Sequence, residues 1–134
     1  LSYHGSPEKY AAAGEPYPDQ CHETARRLGD ALGIADDELL VTFQSRLGLQ
    51  TWLRPYTDET IEQLARQDVE SLDVLCPGFA VDCLETLEEV ALRYRTAFLT
   101  NGGKQFRYIP ALNAGSAHAT ALAAIAMRQL AGWI

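Results

Sequence analysis

Residues 76–89, from Cys76 to Glu89, read Cys-Pro-Gly-Phe-Ala-Val-Asp-Cys-Leu-Glu-Thr-Leu-Glu-Glu. Just before them, Val69 to Leu75 is a short apolar-leaning run that suits a buried strand. Pro77-Gly78 ends that run, since proline has no N–H for the ladder and glycine tolerates unusual φ. Asp82 and Glu85 then stand at N-cap and N3 spacing, which predicts a capping box opening a helix. A strand, a turn and a helix N-terminus in this order mark the edge of an open α/β sheet where ligands bind. Glu85 and Glu89 lie one helical turn apart and share a face, with Glu88 beside them. Like-charge repulsion there costs about 0.2–0.5 kcal/mol, and the helix dipole offsets much of it. Acids in a first helical turn are commonly solvated dipole partners. A file of carboxylates on a pocket wall could instead take protons or a hydrated divalent cation. Spacing alone does not choose between these.

Outward from this stretch, the pattern alternates. Leu1 to Tyr3 reads as the tail of a strand, so the start is read as a fragment boundary, and Gly5 to Pro7 as loop. His4 then falls at the carboxyl end of that strand, on the same sheet edge as Glu85; a lone histidine near a terminus is otherwise commonly solvated. Residues 8–18 read as loop, followed by a helix from about Pro18 to Leu32 with Gly33 as its stop. Its Cys21, Ala25, Leu28 and Leu32 recur at helical spacing and are expected to face the core, leaving His22 outside. Leu39 to Phe43 is the second strand, and a long loop over 46–56 carries Trp52, Pro55 and Tyr56. Trp52 reads equally as an aromatic folded back on the core or as a flat wall for a flat ligand. Thr57 or Asp58 caps a short helix to about Arg66, and the helix from Asp82 runs to about Leu99. Gln105 to Ile109 is a fourth strand. Ser116 caps a final helix to about Leu130, whose Leu122, Ile125 and Leu130 are expected to dock on a sheet.

The order β-α-β-α-β-α-β-α predicts one α/β domain: a doubly wound, open parallel sheet of about four strands with helices on both faces. The 134 residues suffice for one core, and 47 % of them are hydrophobic. The formal net charge of −7 argues against a nucleic-acid surface, which needs a basic stripe. No apolar run approaches the ~18 residues of a membrane span, and the first residues do not resemble a signal peptide. The three cysteines form no C-x-x-C pair; buried thiols in a reducing, cytoplasmic compartment fit them best. Gly102-Gly103-Lys104 sits between a helix and a strand, the wrong context for a phosphate loop.

Five ordered segments carry a family resemblance. Ser2-Tyr3-His4-Gly5-Ser6-Pro7 resembles the Ser-x-His-(Gly/Ser)-x-Pro segment of ferrochelatases, which insert ferrous iron into a porphyrin to make haem. Gly14-Glu15-Pro16-Tyr17-Pro18 is similar to that family's Gly-Asp-Pro-Tyr-Pro. Gln44-Ser45-Arg46-x-Gly48 with Trp52-Leu53-x-Pro55 resembles its Gln-Ser…Trp-Leu-x-Pro region. Phe79-x-x-Asp82-x-Leu84-Glu85-Thr86-Leu87 matches its Phe-x-x-Asp-x-(Ile/Leu)-Glu-Thr-Leu, and Ser116 to Leu130 fits its closing helix. The resemblance covers nearly the whole chain and is to the C-terminal half of a two-domain enzyme about twice as long.

The resemblance implies roles. His4 and Glu85 are expected as catalytic residues, and His4, Glu85 and Glu89 as metal ligands. Trp52, Phe79 and Tyr3 are expected at the porphyrin, and Lys9, Arg46 and Arg54 at its propionates. Porphyrin and ferrous iron are the implied partners, iron as a substrate, with no bound prosthetic group. A metal role for the position after Asp82, histidine in part of the family, is doubtful for Cys83, and no cysteine cluster follows the last helix to ligate an iron–sulfur centre. The N-terminal half, the other wall of the cleft, is missing from these residues, and any peripheral membrane contact would run through it. The alternatives are a cobalt or nickel chelatase acting on a sirohydrochlorin-type ring, and a non-catalytic α/β ligand-binding module.

Overall fold

The computed structural model describes residues 1–133. Strand β1 is Ser2–His4, helix α1 Glu8–Ala12 and helix α2 Tyr17–Leu32. A 3₁₀ turn, Asp36–Glu38, leads to β2, Thr42–Gln44, and then to α3, Thr57–Arg66. Strand β3, Ser71–Leu75, precedes a long helix α4, which is π-helical over Glu85–Tyr94 and α-helical over Arg95–Thr100. Strand β4, Gln105–Ile109, and helix α5, Ser116–Leu130, follow. The α/β alternation is therefore present. One short helix, α1, lies in the stretch expected to be loop.

The strands are parallel, but they pair two by two. β1 runs beside β2 with Ser2 opposite Thr42 and His4 opposite Gln44. β3 runs beside β4 with Ser71 opposite Gln105 and Leu75 opposite Ile109. Among the described residues no ladder joins the two pairs, where a single four-stranded sheet is expected from the sequence. An apolar cavity of about 410 Å³ occupies the space between them, lined by Leu1, Leu28, Ile61, Leu64, Leu72 and Val74 among others. β1 and β2 are only three residues long, so little backbone is available to bridge that gap.

Side chains bridge it instead. Ser2 Oγ donates to Gln44 Oε1 at 2.5 Å and lies 2.8 Å from Thr57 Oγ1, which is 2.9 Å from Thr42 Oγ1. Cys76, just past β3, places Sγ 3.5 Å from the same Gln44 oxygen. Ser2, Thr42, Gln44, Thr57 and Cys76 are all buried, so this network replaces water with matched partners.

Apolar packing forms two cores. Ile61 and Ala65 of α3, Val74 of β3, Phe106 of β4, and Val90, Tyr94 and Phe98 of α4 make the larger. Tyr3, Cys21, Phe43 and Leu53 make the smaller, under α2. Cys21 and Ala25 face inward as the periodicity predicts, and Gly33 ends α2 in the left-handed region, with φ 66°. Leu32 does not face inward: it is 59 % exposed at the mouth of the cavity, because α2 ends before it meets a covering layer. Helix α5 departs furthest from expectation. None of its residues is buried, and Leu122, Ile125 and Leu130 face outward. Ala-rich and only weakly two-sided, it has no partner surface within the described chain.

The capping box at Asp82 does not form. Asp82 Oδ1 accepts from Tyr108 Oη at 2.6 Å, from the Ala111 N–H at 3.2 Å and from Thr86 Oγ1 at 3.2 Å, while Oδ2 accepts from Asn113 Nδ2 at 2.8 Å. The carboxylate is thus committed to the connection after β4. The cap moves on one residue: the Cys83 N–H donates to Thr86 Oγ1 at 2.9 Å, and the Leu87 N–H returns to the Cys83 carbonyl at 2.9 Å. No helix among the described residues is long and apolar enough to cross a membrane.

Two outcomes are expected of this fold. In urea unfolding of the 134-residue chain, Phe98→Ala loses about 3–5 kcal/mol, as full truncation of a buried ring does. Leu122→Ala on the open face of α5 stays within about 0.5 kcal/mol of wild type. The second concerns pH. Donors from Asn113 and Tyr108, then Ala111 and Thr86, hold the Asp82 carboxyl below the usual carboxylate range. A lowered folded-state pKa stabilises above the unfolded value, about 4, and is lost as pH falls through the folded value. Thermal melts of wild type should therefore drop more steeply than those of Asp82→Asn between about pH 5 and pH 3. Parallel melting curves over that interval would show that Asp82 contributes nothing of this kind.

Candidate active site

The carboxyl ends of β1 and β2 lie side by side, and the segment after β3 reaches them through Cys76 and Phe79. His4 ends β1 and is exposed. Its Nδ1 lies 2.7 Å from the Gly5 carbonyl, and its backbone carbonyl accepts from Tyr17 Oη at 2.8 Å. A carbonyl oxygen only accepts, so Nδ1 carries a proton, and Nε2 is the ring nitrogen left to exchange one. Phe79, in the turn after β3, stands with its ring centroid 6.4 Å from that of His4.

Glu85 begins the π-helical stretch and is half-buried. Gln44, paired with His4 across the β1–β2 ladder, donates Nε2 to the Glu85 carbonyl at 3.0 Å. A hydrogen bond from Cys83, then the residue's own N–H and the nearby charge of His4, hold the Glu85 carboxyl below its ordinary value. His4 and Glu85 thus belong to one electrostatic neighbourhood, with Glu85 an anion at neutral pH.

Trp52 reaches the same edge by a different route. The Leu53 N–H donates to the Ser6 carbonyl at 2.9 Å and the Glu8 N–H to the Thr51 carbonyl at 3.0 Å, pairing the loop with the segment after β1. The Trp52 ring then lies against Gly5. A Cβ at Gly5 would stand 2.8 Å from the Gln44 carbonyl oxygen and 3.1 Å from the indole, so only glycine admits both neighbours. Trp52 Nε1 is satisfied by the Leu47 carbonyl at 3.1 Å, leaving a partly exposed ring.

The other expected site residues lie elsewhere. Tyr3 is 2 % exposed, packed in the smaller core with Cys21 and Phe43, because alternation along β1 points it away from the face His4 uses; it has no surface to offer a porphyrin. Glu89 is 8 % exposed with both oxygens taken: Oε1 by the Ser45 N–H at 3.0 Å and by Tyr94 Oη at 2.5 Å, Oε2 by Ser45 Oγ at 2.6 Å. Among the described residues no three His, Cys, Asp or Glu side chains gather closely enough to hold a metal, so His4, Glu85 and Glu89 are not a ready three-ligand set. Arg46 and Arg54 both stack on Tyr56, 3.9 and 4.3 Å from its centroid. Arg46 also pairs with Asp58 and Glu59, so its guanidinium is already engaged, whereas Arg54 only approaches Glu59 at 4.0 Å and is largely exposed. Lys9 lies over the exposed Tyr10 ring, apart from them. Gln44 and Ser45, the residues that grip α4 from β2, were legible only as part of a motif; nothing in their spacing assigns them that work.

A family model described as Ferrochelatase matches residues 1–130. Three relatives, each named Ferrochelatase, illustrate the likeness. That of Klebsiella pneumoniae (strain 342) is 55 % identical over 118 residues, 88 % of this chain and 37 % of that protein. That of Nitrosococcus oceani is 50 % identical over 133 residues, 99 % of this chain and 36 % of that protein. That of Escherichia coli O139:H28 is 54 % identical over 118 residues, 88 % of this chain and 37 % of that protein. The chain spans little more than a third of the length of these curated relatives. With the model match running through β1, α4 and α5 alike, the chain belongs to the ferrochelatase family.

Proposed function

We propose that this chain is the C-terminal part of a metal-inserting lyase that places ferrous iron in a porphyrin and forms haem. The observation that carries the reading is the convergence of His4 and Glu85 on one strand edge, tied together through Gln44 and flanked by Phe79 and Trp52. Inserting a divalent ion into a porphyrin requires removal of two pyrrole protons and delivery of one metal. Nε2 of His4 suits the first task. The anionic Glu85 suits the second, since a hard carboxylate replaces water around an incoming cation. Phe79 and Trp52 are rigid apolar faces against which a flat macrocycle can be held in a bent shape. Iron enters as a substrate and leaves in the product. The free thiols of Cys21, Cys76 and Cys83 accord with a reducing, cytoplasmic setting for such an enzyme. No observation favours a sirohydrochlorin-type ring or a non-catalytic module.

The test is an anaerobic metal-insertion assay on the full-length protein, with iron, cobalt and zinc offered separately. His4→Ala and Glu85→Gln are each expected to cut turnover with iron by roughly 10²-fold or more, as losses of proton-transfer groups do. Near-normal turnover of Glu85→Gln would reduce that acid to a charge at a helix start. The isolated 134-residue segment is expected to bind porphyrin weakly and to make no haem at a comparable rate. It presents one wall of a cleft, and such ligands need most of their surface buried. Haem formation by the segment near the full-length rate would mean that His4 and Glu85 suffice alone.

A further inference from the structure

We propose that Glu89 is a positioning residue: its buried carboxylate anchors the loop over residues 46–56 through Ser45, and so sets where Trp52 meets the porphyrin. The inference rests on the reading of Trp52 as a porphyrin wall.

Three observations carry it. Ser45 is the residue at which the chain leaves β2 for the loop, and its φ is 64°, in the left-handed region that a serine adopts only when its surroundings impose it. Those surroundings are Glu89. One carboxylate oxygen takes the Ser45 N–H and the other its hydroxyl, so the two groups that fix the orientation of a single residue bond to one rigid side chain. Glu89 is itself fixed from the far side, by Tyr94 Oη on Oε1 and by the Arg93 guanidinium at 3.5 Å. Tyr94 stands five residues after Glu89, the spacing of the π-helical hydrogen bond; the wide turn brings the phenol under the carboxylate.

The arrangement makes a two-point grip. Gln44 holds the Glu85 carbonyl, and Ser45, the next residue, holds the Glu89 side chain one turn along. Gln44 at the end of β2 and Ser45 just past it therefore fasten α4 at two successive levels. The loop leaves from the second of these, and its far arm returns beside Gly5 through the Leu53 and Thr51 backbone bonds. With both carboxylate oxygens bonded to protein donors, Glu89 serves the loop, which leaves Glu85 as the metal-handling acid.

The experiment uses the full-length protein with porphyrin and iron titrated independently. Glu89→Gln and Ser45→Ala are each expected to raise the porphyrin KM by about 3- to 10-fold while the iron KM stays within about twofold. The double variant should be no worse than the weaker single, because both changes cut the same link. Ser45→Gly, which suits a positive φ and keeps the N–H bond, should recover part of the porphyrin KM. A higher iron KM or a lower kcat in Glu89→Gln, with Ser45→Ala at wild-type values, would overturn the proposal and make Glu89 a metal or proton group. Wild-type values for both variants would overturn it too. Should the wild-type protein insert no metal, the functional reading fails, and amide hydrogen exchange then decides the anchor on its own. Exchange over residues 45–54 should quicken in Glu89→Gln, and unchanged exchange there would sink it.

Discussion

One buried amide reaches across parts of this molecule that no backbone ladder holds together. Gln44 has one oxygen and one nitrogen, and both are used across elements: the oxygen meets Ser2 and Cys76, the nitrogen meets the Glu85 carbonyl. The strand pairs β1–β2 and β3–β4 share no ladder, so the relative position of His4 and Glu85 is set by this side chain and the threonine network behind it. Backbone ladders enforce register at every residue, whereas side-chain bridges such as those of Gln44 and Ser45 enforce it only at the residues that make them. An unmet partner in such a buried bridge costs about 1–3 kcal/mol, which keeps the joint closed without making it continuous.

The sequence made the alternation of strands and helices legible because it is written in short apolar runs separated by Gly and Pro. Gly33 and Pro77-Gly78 fall where the structure turns. What stayed hidden follows from what local pattern does not encode. The Asp82–Glu85 spacing matches a capping box, but Tyr108 and Asn113, far along the chain, claim the Asp82 carboxylate. The acids at 85 and 89 look equivalent on a helical wheel. Burial separates them, leaving Glu85 half-buried and enclosing Glu89 with Ser45 and Tyr94. A π-helical stretch has no composition signature, and its presence changes which residues stack. Strand order puts His4 and Glu85 at one edge, while Phe79 and Tyr3 enter only through the resemblance; that resemblance names a segment, and the pleat, which buries Tyr3, decides which of its side chains face out.

Two small cores rather than one large core also explain the edges of the molecule. The larger core ties β3 and β4 to α3 and α4, and the smaller ties β1 and β2 to α2, so each strand pair is stabilised on its own account. The space between them is filled by neither, which leaves Leu32 and Leu40 at the rim of an apolar cavity. Helix α5 belongs to neither core. Beyond the His118 contact with the Asn113 carbonyl at its start, it relies on Ala-rich propensity, which is marginal for fifteen residues in water.

The cluster around Tyr56 has a consequence for how charge reaches the site. Arg46 and Arg54 sit on one aromatic ring and are met there by Asp58 and Glu59, so the positive charge nearest the cleft is cancelled where it arises. What remains is the field of a chain with net charge −7. Such a field draws a divalent cation inward and pushes a dicarboxylate away, and salt screens both effects with a Debye length of about 8 Å at physiological ionic strength. The part of the encounter kinetics governed by this chain therefore has opposite salt dependence for the two substrates of the proposed reaction. Under the proposed reaction, this field would speed the metal in dilute buffer and the macrocycle in concentrated buffer.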